Sequence, residues 1–197
     1  MNEAVTVAAA GLATFAERAR KAGATVHLAG DVEQAAHESA RLLADRGARS
    51  AVLAYDLGDW RPLVAAALAE NGIEVTEARE PAEMATLDTG VTRSKLGVVE
   101  TGSVLVAGNN LSERLVTMLP VYHVVMLSSE SLVTTLEQAM ERIAQLASGR
   151  DGELIHYVSL VTGPSRSADI EQRLTIGVHG PKELHVVVVG GAAEQEG

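Results

Sequence analysis

The 197-residue chain contains no cysteine. This absence excludes disulfide bonds, thiolate zinc sites, a cysteine nucleophile and any iron–sulfur cluster held by the chain's own thiolates. It also fits a reducing cytoplasm, where we expect the protein to reside. Aromatic residues are scarce, at 3%. The apolar content therefore comes mainly from Ala, Val and Leu, a mixture suited to close packing of helices on a sheet.

Positive charge is also in short supply, since 16 Lys and Arg against 26 Asp and Glu give a net charge of −10. Such a balance repels nucleic acid phosphates and anionic lipid unless a local basic patch overrides it. The densest basic stretch, Arg18 to Lys21, carries only three positive charges. No run of 18 apolar residues exists, so we expect neither a nucleic acid partner nor a membrane span.

Several catalytic fingerprints are missing as well. The chain has no glycine-rich dinucleotide fingerprint, no phosphate-binding P-loop and no nucleophile elbow. The sequence therefore gives little support to the hypotheses that the chain is a nicotinamide-dependent dehydrogenase or a kinase. No two of the six histidines have the spacing of a metal-ligand motif, so we expect no metal site.

Apolar periodicity alternates between helices and short strands. Helical spacing covers residues 12–19, 32–46, 62–70 and 131–147, whereas strand patterns cover 24–29, 50–55, 73–76, 96–100, 103–107, 122–127, 154–161 and 184–189. The unbroken apolar run Val186 to Val189 predicts a strand covered on both faces. The alternation predicts an α/β three-layer sandwich with a largely parallel sheet. We expect one domain over residues 1–190, a long connection over 77–91 and a frayed tail over 191–197.

Three segments at strand ends concentrate small, polar and charged residues. The first runs from Glu100 to Ser103 and offers the hydroxyls of Thr101 and Ser103. Gly102 permits close backbone approach, and Glu100 could act as a general base. The pattern alone favours the other interpretation, a hairpin turn with an exposed glutamate.

The second segment runs from Thr162 to Glu171, after a strand and into an expected helix. Its turn presents backbone N–H groups, and Arg166 could clamp a carboxylate or phosphate with two hydrogen bonds. Ser165 or Ser167 also suits a helix N-cap, and Asp169 and Glu171 suit a first helical turn. A structural salt bridge is about as well supported as a ligand site.

The third segment runs from Gly177 to Pro181 and places His179 between two glycines. A histidine there would be accessible and could shuttle protons. The alternative is a turn histidine hydrogen-bonded to the backbone.

These segments occur in a definite order: Glu100-Thr101-Gly102-Ser103, Arg114, Leu119-Pro120, His123, Gly163 to Glu171, and Gly177 to Pro181. In order and spacing they resemble the LUD (lactate utilisation) domain family over residues 85–190. Ser103 and Ser167 stand where the family often has Thr, which keeps the hydroxyl. Arg93-Ser94-Lys95 and Asn109-Asn110-Leu111-Ser112 also depart from the family pattern.

The resemblance implies a fold similar to that of sugar-phosphate isomerases and CoA transferases. It also implies a part in oxidising L-lactate, a small carboxylate, to pyruvate. Iron–sulfur clusters would then lie on partner proteins, and this chain would bind no cofactor itself. On this hypothesis Glu100, His179 and Asp169 are catalytic, and Arg166 pairs with the substrate carboxylate. The substrate-binding residues would be Thr101, Gly102, Ser103, Arg114, Gly163, Ser165, Arg166 and Glu171.

Two alternatives remain open at the level of sequence. One is an independent enzyme or binding module of the same fold that acts on a sugar phosphate or a CoA ester. The other is a scaffold whose motif turns only stabilise the sheet ends. Fold alone does not choose between them.

Overall fold

The structure is a computed structural model that describes residues 3–77, 80–149, 155–168, 174–176 and 180–190. Its strands are β1 (Thr25–Ala29), β2 (Ser50–Leu53), β3 (Glu74–Val75), β4 (Thr89–Arg93), β5 (Leu96–Val98), β6 (Ser103–Gly108), β7 (Tyr122–Ser128), β8 (Leu132–Val133), β9 (Tyr157–Val161), β10 (Arg166–Ala168), β11 (Leu174–Ile176) and β12 (Glu183–Val189). Its α-helices are α1 (Glu3–Lys21), α2 (Val32–Asp45), α3 (Arg61–Glu70), α4 (Pro81–Met84), α5 (Leu111–Val116) and α6 (Leu136–Ser148). Short 3₁₀ helices cover Tyr55–Trp60 and Ser129–Ser131.

The central sheet has six strands in the order β1-β12-β7-β4-β2-β3, and every neighbouring pair is parallel. Helices α2 and α3 pack on one face, and α1 packs on the other. Side chains on both faces of β12 are buried, from Leu184 to Val189. This burial confirms the strand predicted from the apolar run, because only a sheet covered on both faces hides consecutive valines.

A second sheet lies beside α1, in the order β8-β5-β6-β9. Successive side chains of β6 point to opposite faces of the small sheet, as in any β-strand, so β6 packs against two layers. Val104 and Val106 face the central sheet and α1. Leu105 packs instead on the outer side, with Ala139 and Leu146 of α6. The predicted α/β sandwich around a largely parallel sheet is confirmed, with this small sheet added to one layer.

The connection expected over residues 77–91 was the largest error of the sequence prediction. It contains α4 and most of β4, which lies between β2 and β7 in the central sheet. The strand Thr-Gly-Val-Thr-Arg has no apolar run that would reveal it. Thr89 and Thr92 are nonetheless buried, since both faces of the sheet are covered there.

One predicted helix boundary and one predicted helix were also wrong. The helix expected from residue 131 begins at Leu136, because a capping box of Thr135 and Gln138 sets its start and Leu132–Val133 pair with β5 as β8. The helix expected after Ser165 is replaced, where the chain is described, by the antiparallel pair β10 and β11.

Gly90 lies where α5 crosses β4. A Cβ on Gly90 would overlap the backbone carbonyl oxygen of Val116, so only glycine allows α5 to approach the sheet this closely. Backbone atoms cannot move aside as a flexible side chain can. The contact therefore fixes the position of α5.

We expect Gly90→Ala to lower the free energy of unfolding by about 3 kcal/mol, because the added methyl group must push α5 away from β4. Urea denaturation measures the effect. Gly11→Ala is the control, since a Cβ there meets only an ordinary contact with Val99 and alanine favours a helix by up to about 1 kcal/mol. Equal midpoints for Gly90→Ala and the wild type would contradict the packing described.

Candidate functional site

The turn from Glu100 to Ser103 joins β5 to β6 beside the end of α1. Gly102 has φ +68°, and a side chain there would overlap the backbone of α1. The hydroxyl oxygens of Thr101 and Ser103 lie 2.7 Å apart, and Ser103 Oγ lies 2.6 Å from Thr162 Oγ1. This chain of hydroxyls ties the turn to the end of β9.

Glu100 is exposed and contacts the start of α6. Its Oε2 accepts a hydrogen bond of 2.8 Å from the backbone N–H of Leu136, the first residue of that helix. Its own N–H donates to the carbonyl oxygen of Thr134. The structure thus gives Glu100 a helix-capping contact. Its catalytic role stays a prediction.

Two predicted residues of the second segment, Gly163 and Ser165, line a cavity of about 200 Å³ together with His123. His123 is buried, and its Nε2 lies 2.9 Å from Thr92 Oγ1. Burial lowers the pKa of His123 to about 3, so this ring is neutral at physiological pH. Gly163 has φ +72° and lies against the carbonyl oxygen of Ala22, after α1. We call this end of the molecule, with the hydroxyl chain and the cavity, the motif end.

Arg114 lies apart from the motif end. Its guanidinium stacks over the ring of Tyr157, 4.4 Å from the ring centre, at the start of β9, whereas Gly163 follows the end of that strand. The backbone of Arg166 lies in β10, and its side chain is outside the described part of the chain. Asp169, Glu171 and His179 lie outside the described residues.

The opposite edge of the central sheet holds a second candidate site, which sequence reasoning missed. Because all six strands are parallel, their carboxyl ends share this edge. The chain leaves β2 for α3 on one face, whereas it leaves β4 for β5 and β6 on the other. Adjacent strands whose connections diverge in this way form a topological switch point, where open α/β sheets commonly bind ligands.

A crevice of about 710 Å³ opens at the carboxyl end of β2. We call it the strand-end crevice. Its apolar lining comes from β2, α4 and α5: Val52, Leu53, Ala54, Met84 and Val116. Its polar and aromatic lining consists of Tyr55, Arg61, Glu77, Asn110, Ser112 and Glu113. An apolar floor with a few polar groups is typical of small-molecule sites.

Arg61 is held at the crevice by the end of β2. Its Nη1 donates to the carbonyl oxygens of Leu53, at 2.7 Å, and Ala54, at 3.3 Å. Its Nη2 forms an ion pair with Glu77, whose side chain is 74% exposed. Tyr55 is 82% exposed. A fixed cation and an accessible ring therefore lie on one side of the crevice.

Asp56 follows Tyr55 and lies beside the crevice. Burial raises the pKa of its carboxyl group to about 6, although its Oδ1 accepts a hydrogen bond of 3.1 Å from the backbone N–H of Arg93. The Arg93 guanidinium stacks 3.8 Å from the ring centre of Trp60 and pairs with Asp59 at 3.0 Å. The sheet edge thus carries a carboxyl group that can exchange a proton near neutral pH.

One local signal could have revealed part of this site. Tyr55 ends a predicted apolar strand and Asp56 directly follows it, so the strand-end rule that singled out the three predicted segments applies here too. Arg61 and Glu77 gave no such signal, because they come from a helix start and a separate loop. Only the fold brings them together.

The described part of the chain offers no group of three His, Asp or Glu side chains arranged to hold a metal ion. None of its helices combines the length and apolar character needed to cross a bilayer.

The parallel sheet, the small sheet beside α1 and the strand-end crevice define an α/β protein with an open crevice at the carboxyl edge of its sheet. A crystal structure of a DUF162 family protein from Deinococcus radiodurans shares this fold, with a TM-score of 0.64 and 21% sequence identity. The match covers 93% of this chain and 98% of that one.

The model of the LUD domain matches residues 12–189, so the chain belongs to the LUD domain family, and the predicted resemblance is confirmed. It is 38% identical over 110 residues to lactate utilization protein C of Shouchella clausii, covering 56% of this chain and 46% of that protein. It is 35% identical over 111 residues to the protein of the same name from Halalkalibacterium halodurans, with the same two shares. The chain spans about half the length of these curated relatives.

We expect Glu100→Ala to lower the free energy of unfolding by about 1 kcal/mol, because the first N–H of α6 loses its acceptor. Glu100→Gln keeps an acceptor and should unfold close to the wild type in urea. Glu141→Ala, an exposed change within α6, is the control and should have little effect. If the Ala and Gln variants are equally stable, the capping contact contributes nothing measurable.

We expect Asp56→Asn to stabilise the protein by about 1–2 kcal/mol at pH 8 and by much less at pH 4. The folded carboxyl group keeps its proton up to about pH 6, whereas the unfolded one loses it near pH 4. The wild type therefore loses stability as pH rises from about 4 to 6, and the asparagine variant avoids this loss. Urea unfolding at both pH values measures the stability of Asp56→Asn. Asp45→Asn, at an exposed position, is the control. A gain of equal size at the two pH values would contradict the raised pKa.

Proposed function

We propose that this chain is the cluster-free component of a lactate-utilisation system in the cytoplasm that oxidises L-lactate to pyruvate with iron–sulfur partner proteins. The observation that carries this proposal is its 38% and 35% identity to two proteins named lactate utilization protein C. The match spans more than half of the chain, and the family model spans nearly all of it.

The composition supports a division of labour between this chain and its partners. Oxidation of a 2-hydroxy acid to a 2-oxo acid removes two electrons and two protons. The chain has no cysteine and so no thiolate that could ligate a cluster. On this proposal the electrons leave to clusters on the partners, and this chain contributes substrate binding, proton transfer or assembly.

On this proposal the small carboxylate binds at the motif residues rather than at the strand-end crevice. Arg166, His179 and Glu100 keep their predicted roles toward the carboxylate and the hydroxyl proton. A guanidinium that pairs with the carboxylate and a base that takes the hydroxyl proton are the groups that oxidation of a 2-hydroxy acid calls for.

The proposal is tested by anaerobic affinity purification of the tagged chain from its own host grown on lactate. We expect an iron-bearing partner in the eluate, together with L-lactate-dependent reduction of a dye. Arg166→Ala should abolish growth on lactate without changing the melting temperature. Arg41→Ala, which removes an exposed arginine of α2, should leave growth unchanged.

An iron-free eluate with no L-lactate-dependent activity would overturn the proposal of a stable complex. An independent enzyme or binding module for a sugar phosphate or CoA ester would then become the better account. A large loss of stability in Arg166→Ala would instead assign that residue to the scaffold.

A further inference from the structure

The strand-end crevice is several times larger than a three-carbon acid requires. Its volume of about 710 Å³ lies within the range of about 300–1,000 Å³ found for sites of drug-sized ligands. Lactate alone would leave most of the apolar floor uncovered. We propose that the crevice binds a mononucleotide-sized ligand, with a ring that stacks on Tyr55 and a phosphate that pairs with Arg61.

The phosphate is assigned to Arg61 because this guanidinium is already positioned. The carbonyl oxygens of Leu53 and Ala54 hold its Nη1, while Nη2 points to Glu77. A pair with so exposed a carboxylate contributes little, so a phosphate can replace Glu77 on Nη2 at small cost. Arginine suits this exchange because its planar fork binds phosphate oxygens in pairs.

Glu113 is the other acidic residue of the crevice, and its oxygens are engaged by the start of α5. Oε2 accepts from the backbone N–H of Asn109, and Oε1 accepts from Asn110 Nδ2 at 2.9 Å. These contacts hold the carboxylate within the cap of its own helix. Among the lining residues that the structure describes, Arg61 is the single cation, so it fixes where the phosphate lies.

The ring is assigned to Tyr55 because this side chain is largely exposed while it lines the crevice. Large aromatic rings in a folded protein are usually covered, and an uncovered one at the mouth of a cavity offers a stacking surface. The floor formed by Val52, Met84 and Val116 would cover the second face or edge of such a ring.

Trp60 gives a direct readout of binding. It is the single tryptophan of the sequence and lies in the same 3₁₀ helix as Tyr55, next to Arg61. Its fluorescence therefore reports changes beside Arg61, the crevice residue that follows it in the chain.

The test titrates the purified full chain with AMP, followed by Trp60 emission, and with FMN, followed by flavin emission. Inorganic phosphate and L-lactate are the small probes. We expect at least one nucleotide to saturate the signal and to bind about tenfold or more tightly than inorganic phosphate, since base stacking contributes that much. Tyr55→Ala should weaken nucleotide binding about tenfold.

Glu77→Gln is the more discriminating variant. Because it removes the carboxylate that competes with phosphate for Arg61, it should tighten nucleotide binding several-fold. A merely structural role for the pair would weaken binding or leave it unchanged. Met140→Ala and Glu70→Gln are matched controls on exposed positions of α6 and α3, and neither should change the affinity. Tyr55 and Glu77 are themselves exposed, so their variants should fold.

Three results would overturn the inference: no saturation by either nucleotide, inorganic phosphate bound as tightly as the nucleotides, or nucleotide binding that Glu77→Gln weakens or leaves unchanged. The inference does not depend on the lactate proposal. Its failure would leave the iron content and lactate activity of the affinity eluate unchanged, and failure of that experiment would leave nucleotide binding by the purified chain unchanged.

Discussion

Helix α5 lies so close to β4 that the carbonyl oxygen of Val116 takes the place of a side chain at Gly90. This contact fixes the path of α5 from one edge of the central sheet to the other. Asn110 and Glu113, at its start, form part of the strand-end crevice. Thr117, just after its end, lines the cavity of the motif end. The geometry of both candidate sites therefore depends on one helix and on a glycine that lets it approach.

The motif end shows why a family pattern can be read from sequence without revealing a ligand site. Gly102 and Gly163 both press against α1 or the residue that follows it, and the hydroxyls of Ser103 and Thr162 join their turns. Such residues are required by packing, because any side chain at the two glycines would overlap backbone atoms. A motif of this kind identifies the fold reliably whether or not it touches substrate.

Elements with strong local patterns were predictable, and those defined by partners were not. The apolar runs of β2, β7 and β12 and the stripe of α2 were enough to place them. β4 was missed because it contains two threonines, a glycine and an arginine and so lacks an apolar run. It is nonetheless an interior strand of the central sheet. The strand-end crevice escaped notice because Arg61 and Glu77 become neighbours only after α3 packs on the sheet. Both β4 and the strand-end crevice depend on pairing and packing between segments that are distant in the sequence.

The register of β1 sets a constraint on how the chain is made. Thr25 lies opposite His185, so the edge strand β1 pairs with a strand, β12, that is synthesised 160 residues later (185 − 25). At 5–20 residues per second this delay lasts roughly 8 to 32 seconds on the ribosome. Until β12 emerges, β1 has no neighbour in its final sheet, and its polar backbone and apolar side chains stay open to other chains. The exposure of β1 to wrong partners during synthesis therefore lasts until the last described strand, β12, leaves the exit tunnel.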